Sequence, residues 1–191
     1  MRIGVLALQG AFAEHVAMLD TLGARTVLVR LPEHLDGLDG LILPGGESTS
    51  MRLLAQDFAL TGDLRGFAAR LPVWGVCAGL VLLARDVAGE PSLLDGLDIG
   101  VARNAYGRQR DSFVATVAMA GISDSERPFP AVFIRAPRIV ATGVNVKILA
   151  RYRGEPVAVR QGRLMATAFH PELTDDVRLH AFFVGLCAGQ Q

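Results

Sequence analysis

Three short polar segments carry residue types able to break an amide or ester bond. The first is Gly75-Val76-Cys77-Ala78-Gly79, which has the G-x-nucleophile-x-G spacing of a nucleophile elbow with sulfur in the reactive position. An apolar run, Val73 to Val76, precedes it and reads as a buried strand. The apolar stretch Leu80 to Ala84 follows as a helix, with Arg85 suited to a later helical turn. Glycines on both sides of Cys77 suit a strand that turns at once into a helix, where a Cβ has no room and the nucleophile holds a strained backbone. A helix N-terminus behind Cys77 would favour a thiolate and a developing oxyanion. Taken alone, the pentapeptide also fits a buried structural cysteine.

The second segment is Phe169-His170-Pro171-Glu172, after an apolar run from Leu164. In extended chain, His170 and Glu172 would share one side, with Pro171 stiffening the geometry. A histidine oriented by a carboxylate can take a proton from a thiol and return it to a leaving amine. Triads are defined by roles rather than chain order, so the long separation from Cys77 is no objection. The third segment is Pro44-Gly45-Gly46-Glu47-Ser48-Thr49. Its paired glycines let backbone N–H groups approach a ligand, while Ser48 or Thr49 could simply cap the next helix. His15, His34 and His180 are expected to be ordinary core or loop histidines. No Cys or His pair has zinc-ligand spacing, and no metal or cofactor is expected.

The elements that must position these segments follow a clear rhythm. Strand-like Ile3–Leu8, a helix over Ala11–Leu22, strands over Thr26–Leu31 and Leu38–Leu43, and helical periodicity over 49–70 interrupted near Thr61-Gly62-Asp63 lead to the strand at 73–76. Alternation of this kind predicts an open, mainly parallel sheet with helices on both faces, where ligands bind beyond the carboxyl ends of the strands. After residue 88 the pattern becomes short strands separated by turns, at 99–101, 113–118, 131–134, 140–142, 146–152, 157–159 and 164–169, which predicts a strand-rich, largely antiparallel second half. Thr174 to Ala188 reads as a final helix capped by Thr174 or Asp175.

The 191 residues are expected to form a single domain, residues 1–191, without an internal repeat or linker. Nineteen basic and nineteen acidic residues balance, which leaves no electrostatic footprint for nucleic acid or an anionic membrane. The apolar N-terminal segment is too short to span a bilayer and lacks a cleavage pattern. Two cysteines, Cys77 and Cys187, imply no disulfide framework, so the expected location is the cytoplasm.

Six segments together, Gly4 to Ala11, Pro44 to Thr49, Gly75 to Gly79, Arg103-Asn104-Ala105-Tyr106-Gly107-Arg108-Gln109, Phe133 to Pro137 and Phe169 to Leu173, resemble the glutaminase subunits of pyridoxal 5′-phosphate synthase, within the class I glutamine amidotransferase family. The resemblance spans essentially the whole chain. The Cys and His-Pro-Glu motifs would indicate only class I. The Leu-Gln-Gly-Ala, Tyr-Gly-Arg-Gln and Ile-Arg-Ala-Pro segments narrow the likeness, and Val76 stands where threonine is more usual.

That resemblance implies a class I amidotransferase-like, flavodoxin-like α/β fold and hydrolysis of L-glutamine to glutamate and ammonia. The ammonia would pass to a synthase subunit that makes pyridoxal 5′-phosphate, commonly in an assembly of twelve plus twelve chains, with the glutaminase weak until docked. It implies Cys77 as nucleophile, with His170 and Glu172 completing a triad. Gly46, Glu47, Ser48, Arg103, Ile134 and Arg135 would be the glutamine contacts, and the oxyanion donors are expected at the backbone N–H groups of Gly46 and Ala78. Either Arg135 or Arg103 suits the α-carboxylate. Glu47 could face the substrate ammonium or favour the next helix N-terminus. Two rival readings are the glutaminase of imidazole glycerol phosphate synthase, disfavoured by Leu8-Gln9-Gly10-Ala11, and a redox protein with a reactive elbow cysteine, which leaves His170 and Glu172 without a task. A catalytically silent binding subunit fits poorly with three triad members in place.

Overall fold

The computed structural model describes residues 1–88, 92–103 and 112–190. Its main sheet has seven strands. Five run parallel: β1 (Arg2–Leu6), β2 (Arg25–Val29), β3 (Gly40–Leu43), β4 (Val73–Val76) and, from the far end of the chain, β12 (Leu164–Thr167). The order across the sheet is β10-β11-β12-β4-β3-β1-β2, with β10 (Lys147–Tyr152) and β11 (Glu155–Gln161) added antiparallel at one edge. The central strands β3, β4 and β12 are buried at every residue, which is what a sheet covered on both faces requires and why they read as continuous apolar runs.

Alternation along β4 assigns the covering helices. Trp74 points to the face covered by α1 (Phe12–Thr21) and α5 (Arg178–Cys187), where its ring meets those of His15, His180 and Phe183. Gly75 points to the opposite face, against α4 (Ala78–Leu83). Two more helices, α2 (Ser48–Asp57) and α3 (Thr61–Ala68), connect β3 to β4. Among the described residues no helix is long and apolar enough to cross a membrane.

The expected strand-rich half is present as two smaller sheets beside the edge strands β10 and β11. One contains β5 (Ala84–Val87), β6 (Leu97–Ala102) and β9 (Arg138–Thr142); the other pairs β7 (Ser112–Val117) with β8 (Phe129–Ile134). The β7–β8 pair is antiparallel, whereas β5 and β6 run parallel. Phe133 of β8 stacks on Phe113 of β7 and touches Phe169, so the aromatic residues of this half pack against the segment that follows β12.

Several boundaries differ from the sequence reading. The helix after Cys77 stops at Leu83, and Ala84 and Arg85 belong to β5. Arg85 therefore pairs with Asp95 and Asp98 instead of serving a helix C-terminus. The break within 49–70 lies at residues 58–60, where Ala59 takes φ 55°; Thr61-Gly62-Asp63 instead opens α3. The last helix starts at Arg178 rather than Thr174. The Thr174 hydroxyl donates to the Pro171 carbonyl and accepts from the Asp176 N–H, while the Asp176 carboxylate accepts from both the N–H and the guanidinium of Arg178 at the helix start.

Candidate active site

Four neighbouring parallel strands, β12, β4, β3 and β1, end on one side of the sheet, and their carboxyl ends carry His170, Cys77, the 44–49 segment and Gln9-Gly10. Between them lies a cavity of about 420 Å³. Nine of the ten residues expected at the site line it: Gly46, Glu47, Ser48, Cys77, Ala78, Arg103, Ile134, Arg135 and His170. Glu172 is the exception and sits behind His170, fully buried. Residues 104–109, part of the segment beginning at Arg103, lie outside the described residues.

Cys77 is the residue between β4 and α4, with φ 48° and ψ −97°. A non-glycine residue in that region costs on the order of 1–3 kcal/mol and persists only where the surroundings enforce it. The enforcement is visible. The Cys77 N–H donates to the Thr167 carbonyl at 2.8 Å, and the turn is crowded enough that side chains would not fit. A Cβ on Gly79 would lie 2.0 Å from the Leu43 carbonyl oxygen, and one on Gly75 would lie 2.4 Å from the Gly79 oxygen. The two glycines thus let α4 press onto β3 and β4, which lifts the sulfur into the cavity at the N-terminus of α4. Its Sγ also faces the Ile134 carbonyl at 3.9 Å.

His170 is held from behind and above. Its backbone N–H donates to the Val132 carbonyl of β8 at 2.7 Å, and its Nδ1 is 2.7 Å from Glu172 Oε1. The pairing arises differently from the extended-chain expectation. Glu172 lies in a 3₁₀ turn, Pro171–Leu173, that begins directly after His170, so the tight turn and not a strand face brings the carboxylate round to the ring. Burial alone would lower the His170 pKa. The hydrogen bond to Cys77, followed by the hydrogen bond and charge of Glu172, outweighs it and raises the value to about 10. The raised value favours the protonated imidazole, which lies between the sulfur on one side and the carboxylate on the other.

The 44–49 segment is clamped in place. The Gly45 carbonyl accepts from the Ala11 N–H at 3.0 Å, and the Glu47 N–H donates to Gln9 Oε1 at 2.8 Å. Gly45 sits so near the imidazole that a Cβ there would lie 2.3 Å from His170 Cε1. Glu47, not Ser48 or Thr49, caps α2: its carboxylate accepts from the Thr49 and Ser50 N–H groups and the Ser50 hydroxyl. The Ser50 hydroxyl in particular, with both N–H groups, holds the Glu47 carboxyl down to about 2 against the opposing effect of burial. Arg103 reaches this cap, with Nη2 3.3 Å from Glu47 Oε1 and Nη1 3.2 Å from Thr49 Oγ1.

Gln9 went unassigned as a functional residue in the sequence, although it follows the first strand at its carboxyl end. Its side chain ties the first βα turn to the third and lines the cavity. A lone Gln-Gly pair reads as a turn, and only the neighbouring strand shows what the amide holds. Among the described residues no group of three or more His, Cys, Asp or Glu is placed to bind a metal ion.

A strained cysteine at the N-terminus of a helix, an imidazolium beside it and a buried carboxylate behind the imidazole make a constellation suited to thiol-mediated acyl transfer. Residues 5–188 match the model of the SNO glutamine amidotransferase family. The chain belongs to that family. Members and relatives cover nearly its full length. It is 52% identical over 190 residues to the pyridoxal 5′-phosphate synthase subunit PdxT of Geobacillus kaustophilus, covering 97% of this chain and 94% of the relative. It is 54% identical over 198 residues to the subunit of the same name from Deinococcus radiodurans, covering 100% and 99%. A crystal structure of a glutamine amidotransferase superposes with a TM-score of 0.91 at 44% identity, covering 97% of this chain and 98% of the other. PurLQS from Thermotoga maritima, at 17% identity and a TM-score of 0.73, shares the fold. Membership in a glutamine amidotransferase family agrees with the mixed, mainly parallel α/β architecture described above.

Proposed function

We propose that this chain hydrolyses L-glutamine to L-glutamate and ammonia and delivers the ammonia to a synthase subunit that makes pyridoxal 5′-phosphate. Family membership and full-length relatives at about half identity support the activity and the need for a partner. The observation that carries the chemistry is the Cys77–His170–Glu172 alignment at one end of the sheet.

In this reading Cys77 attacks the side-chain carboxamide carbon of glutamine as a thiolate. Negative charge on the former carbonyl oxygen is received by the N–H groups of Gly46 and Ala78; one such donor contributes about 3 kcal/mol in the transition state. The imidazolium of His170 protonates the departing ammonia, leaving a γ-glutamyl thioester on Cys77. His170 is then neutral and takes a proton from the incoming water, which cleaves the thioester and regenerates the thiolate–imidazolium pair. Glu172 keeps the ring oriented and compensates its charge throughout. Arg103 or Arg135 holds the α-carboxylate of glutamine. Glu47 acts through the loop it caps and through Arg103. Residues 1–191 work as one amidotransferase domain, in the cytoplasm, within an assembly of twelve synthase and twelve glutaminase chains, without nucleic acid or a membrane.

Ammonia release from glutamine, measured with and without the cognate synthase and followed by pyridoxal 5′-phosphate absorbance, tests this reading. Release that rises on adding the synthase, and is abolished by Cys77→Ala and by His170→Asn with the fold and docking intact, is expected. Full turnover by the Cys77→Ala protein would remove the nucleophile assignment.

A further inference from the structure

Behind the triad, on the α1/α5 face of the sheet, two histidines lie fully buried in a region otherwise packed with apolar and aromatic side chains. His15 Nδ1 is 2.9 Å from His180 Nε2. His15 Nε2 lies 3.6 Å from Glu172 Oε2, the carboxylate oxygen that does not bond His170. Neither Oε2 of Glu172 nor Nε2 of His15 has a partner at hydrogen-bond distance among the described residues. Side by side, the five groups form a file: Cys77, His170, Glu172, His15, His180.

Resting on the triad reading above, we propose that His15 is a positioning residue, seated by His180, whose Nε2–H dipole holds the second oxygen of Glu172 and so fixes the carboxylate that orients His170.

The tautomers follow from the partners. With the proton on His15 Nε2, an N–H faces the carboxylate, and Nδ1 is free to accept from His180 Nε2–H. His180 Nδ1, which has no partner, is then a bare lone pair. The opposite assignment would point a His15 lone pair at an anion and bury an unsatisfied N–H on His180, a costlier arrangement. Both rings must be neutral for this. Burial, with His180 and His170 nearby, holds His15 well below the usual imidazole range, and burial lowers His180 to about 3. At 3.6 Å the His15–Glu172 approach is a charge–dipole contact rather than a hydrogen bond, but in a dry site such a contact is little screened. The charged and titratable groups facing His170 are Cys77 from the start of α4, Glu172 from the 3₁₀ turn and His15 from α1. Those facing His15 are Glu172, His170 and, from α5, His180. Losing the His15 N–H frees the carboxylate to rotate or to take up a proton, and either change weakens its hold on the His170 ring.

The test compares His15→Leu with His15→Gln, whose amide N–H reaches about as far as the imidazole Nε2. Two readouts are taken: steady-state glutamine hydrolysis with the synthase present, and the His170 titration followed by NMR on histidine-labelled chain. For His15→Leu, kcat is expected to fall between roughly 10- and 100-fold, the scale of a displacement near 1 Å, with KM little changed. The His170 midpoint is expected to drop from about 10. His15→Gln should restore most of both. An unchanged or raised His170 midpoint in His15→Leu, or equal losses in the two variants, would overturn the proposal. Should His15→Leu not fold, His180→Leu removes the donor to His15 Nδ1 and is read in the same way, a lowered midpoint supporting the relay and an unchanged or raised one overturning it. The titration needs no turnover. Absence of hydrolysis by the wild-type pair would therefore sink the proposed function without deciding the relay.

Discussion

Adding one methyl group at Gly45 should disable the site without touching any residue that does chemistry. A Cβ built there lies 2.3 Å from His170 Cε1 and 2.8 Å from Nδ1, about 1 Å inside an ordinary carbon contact. Little around it can give way. The Gly45 carbonyl is hydrogen-bonded to the Ala11 N–H, and Gly10 packs so tightly on that carbonyl that its own Cβ would lie 1.9 Å from the oxygen. The imidazole is the looser partner, because it rotates about two side-chain bonds. In Gly45→Ala the ring is therefore displaced by roughly 1 Å from the sulfur and from Glu172, which is worth up to about 100-fold in rate. The accompanying overpacking costs about 1–3 kcal/mol of stability. Glutamine hydrolysis with the synthase present, a thermal melt and the His170 titration together decide the matter. The expected pattern is a folded protein with kcat down about two orders of magnitude and a His170 midpoint below about 10. A folded Gly45→Ala protein with full kcat would refute the argument that this glycine exists to admit the ring.

Glu47→Ala should lower stability by about 1 kcal/mol through loss of the α2 cap, measured as a shift in denaturant midpoint; no shift would mean the cap is not formed in solution. Cys187→Ala should leave hydrolysis unchanged. Cys187 lies on α5 away from the cavity, and burial pushes its thiol up to about 12, so a marked loss of activity in a folded variant would contradict this. Stability should decline in acid. His180, lowered to about 3 when folded, stays neutral while the unfolded chain takes up a proton below about 6.5, so its contribution is present above that pH and drains away as pH falls towards 3. The His170 contribution has the opposite sense: its raised value makes it complete below about 6.5 and lost as pH climbs through about 10. Melting temperatures of wild type and His170→Asn should accordingly converge on the alkaline side, and a constant gap across that range would contradict the linkage.

Some of the site was legible because it is encoded locally. The elbow glycines, the nucleophile between them and the His-Pro-Glu tripeptide are each set within five residues, by steric limits that hold in any fold. The parallel half of the sheet was equally readable, since strands buried on both faces leave continuous apolar runs such as Leu41 to Leu43 and Val73 to Val76. Other features depend on competition between partners far apart in the chain. Thr174 looks like the cap of the last helix until the 3₁₀ turn at Pro171 engages its hydroxyl and the helix starts only at Arg178, and Arg85 looks helical until β6 pairs with its segment as a strand.

The sequence alone determined which atoms are available for chemistry at Cys77, His170 and Glu172, because reactivity and local turn geometry are short-range properties. Tertiary structure alone decided what surrounds them: that Gln9 holds the third loop, that Glu47 caps α2, and that His15 and His180 stand behind Glu172. His15 and His180 are 165 positions apart, and their meeting follows from α1 and α5 covering the same face of the sheet. No local pattern encodes that meeting, since a buried histidine on a helix has the same sequence signature whatever stands opposite.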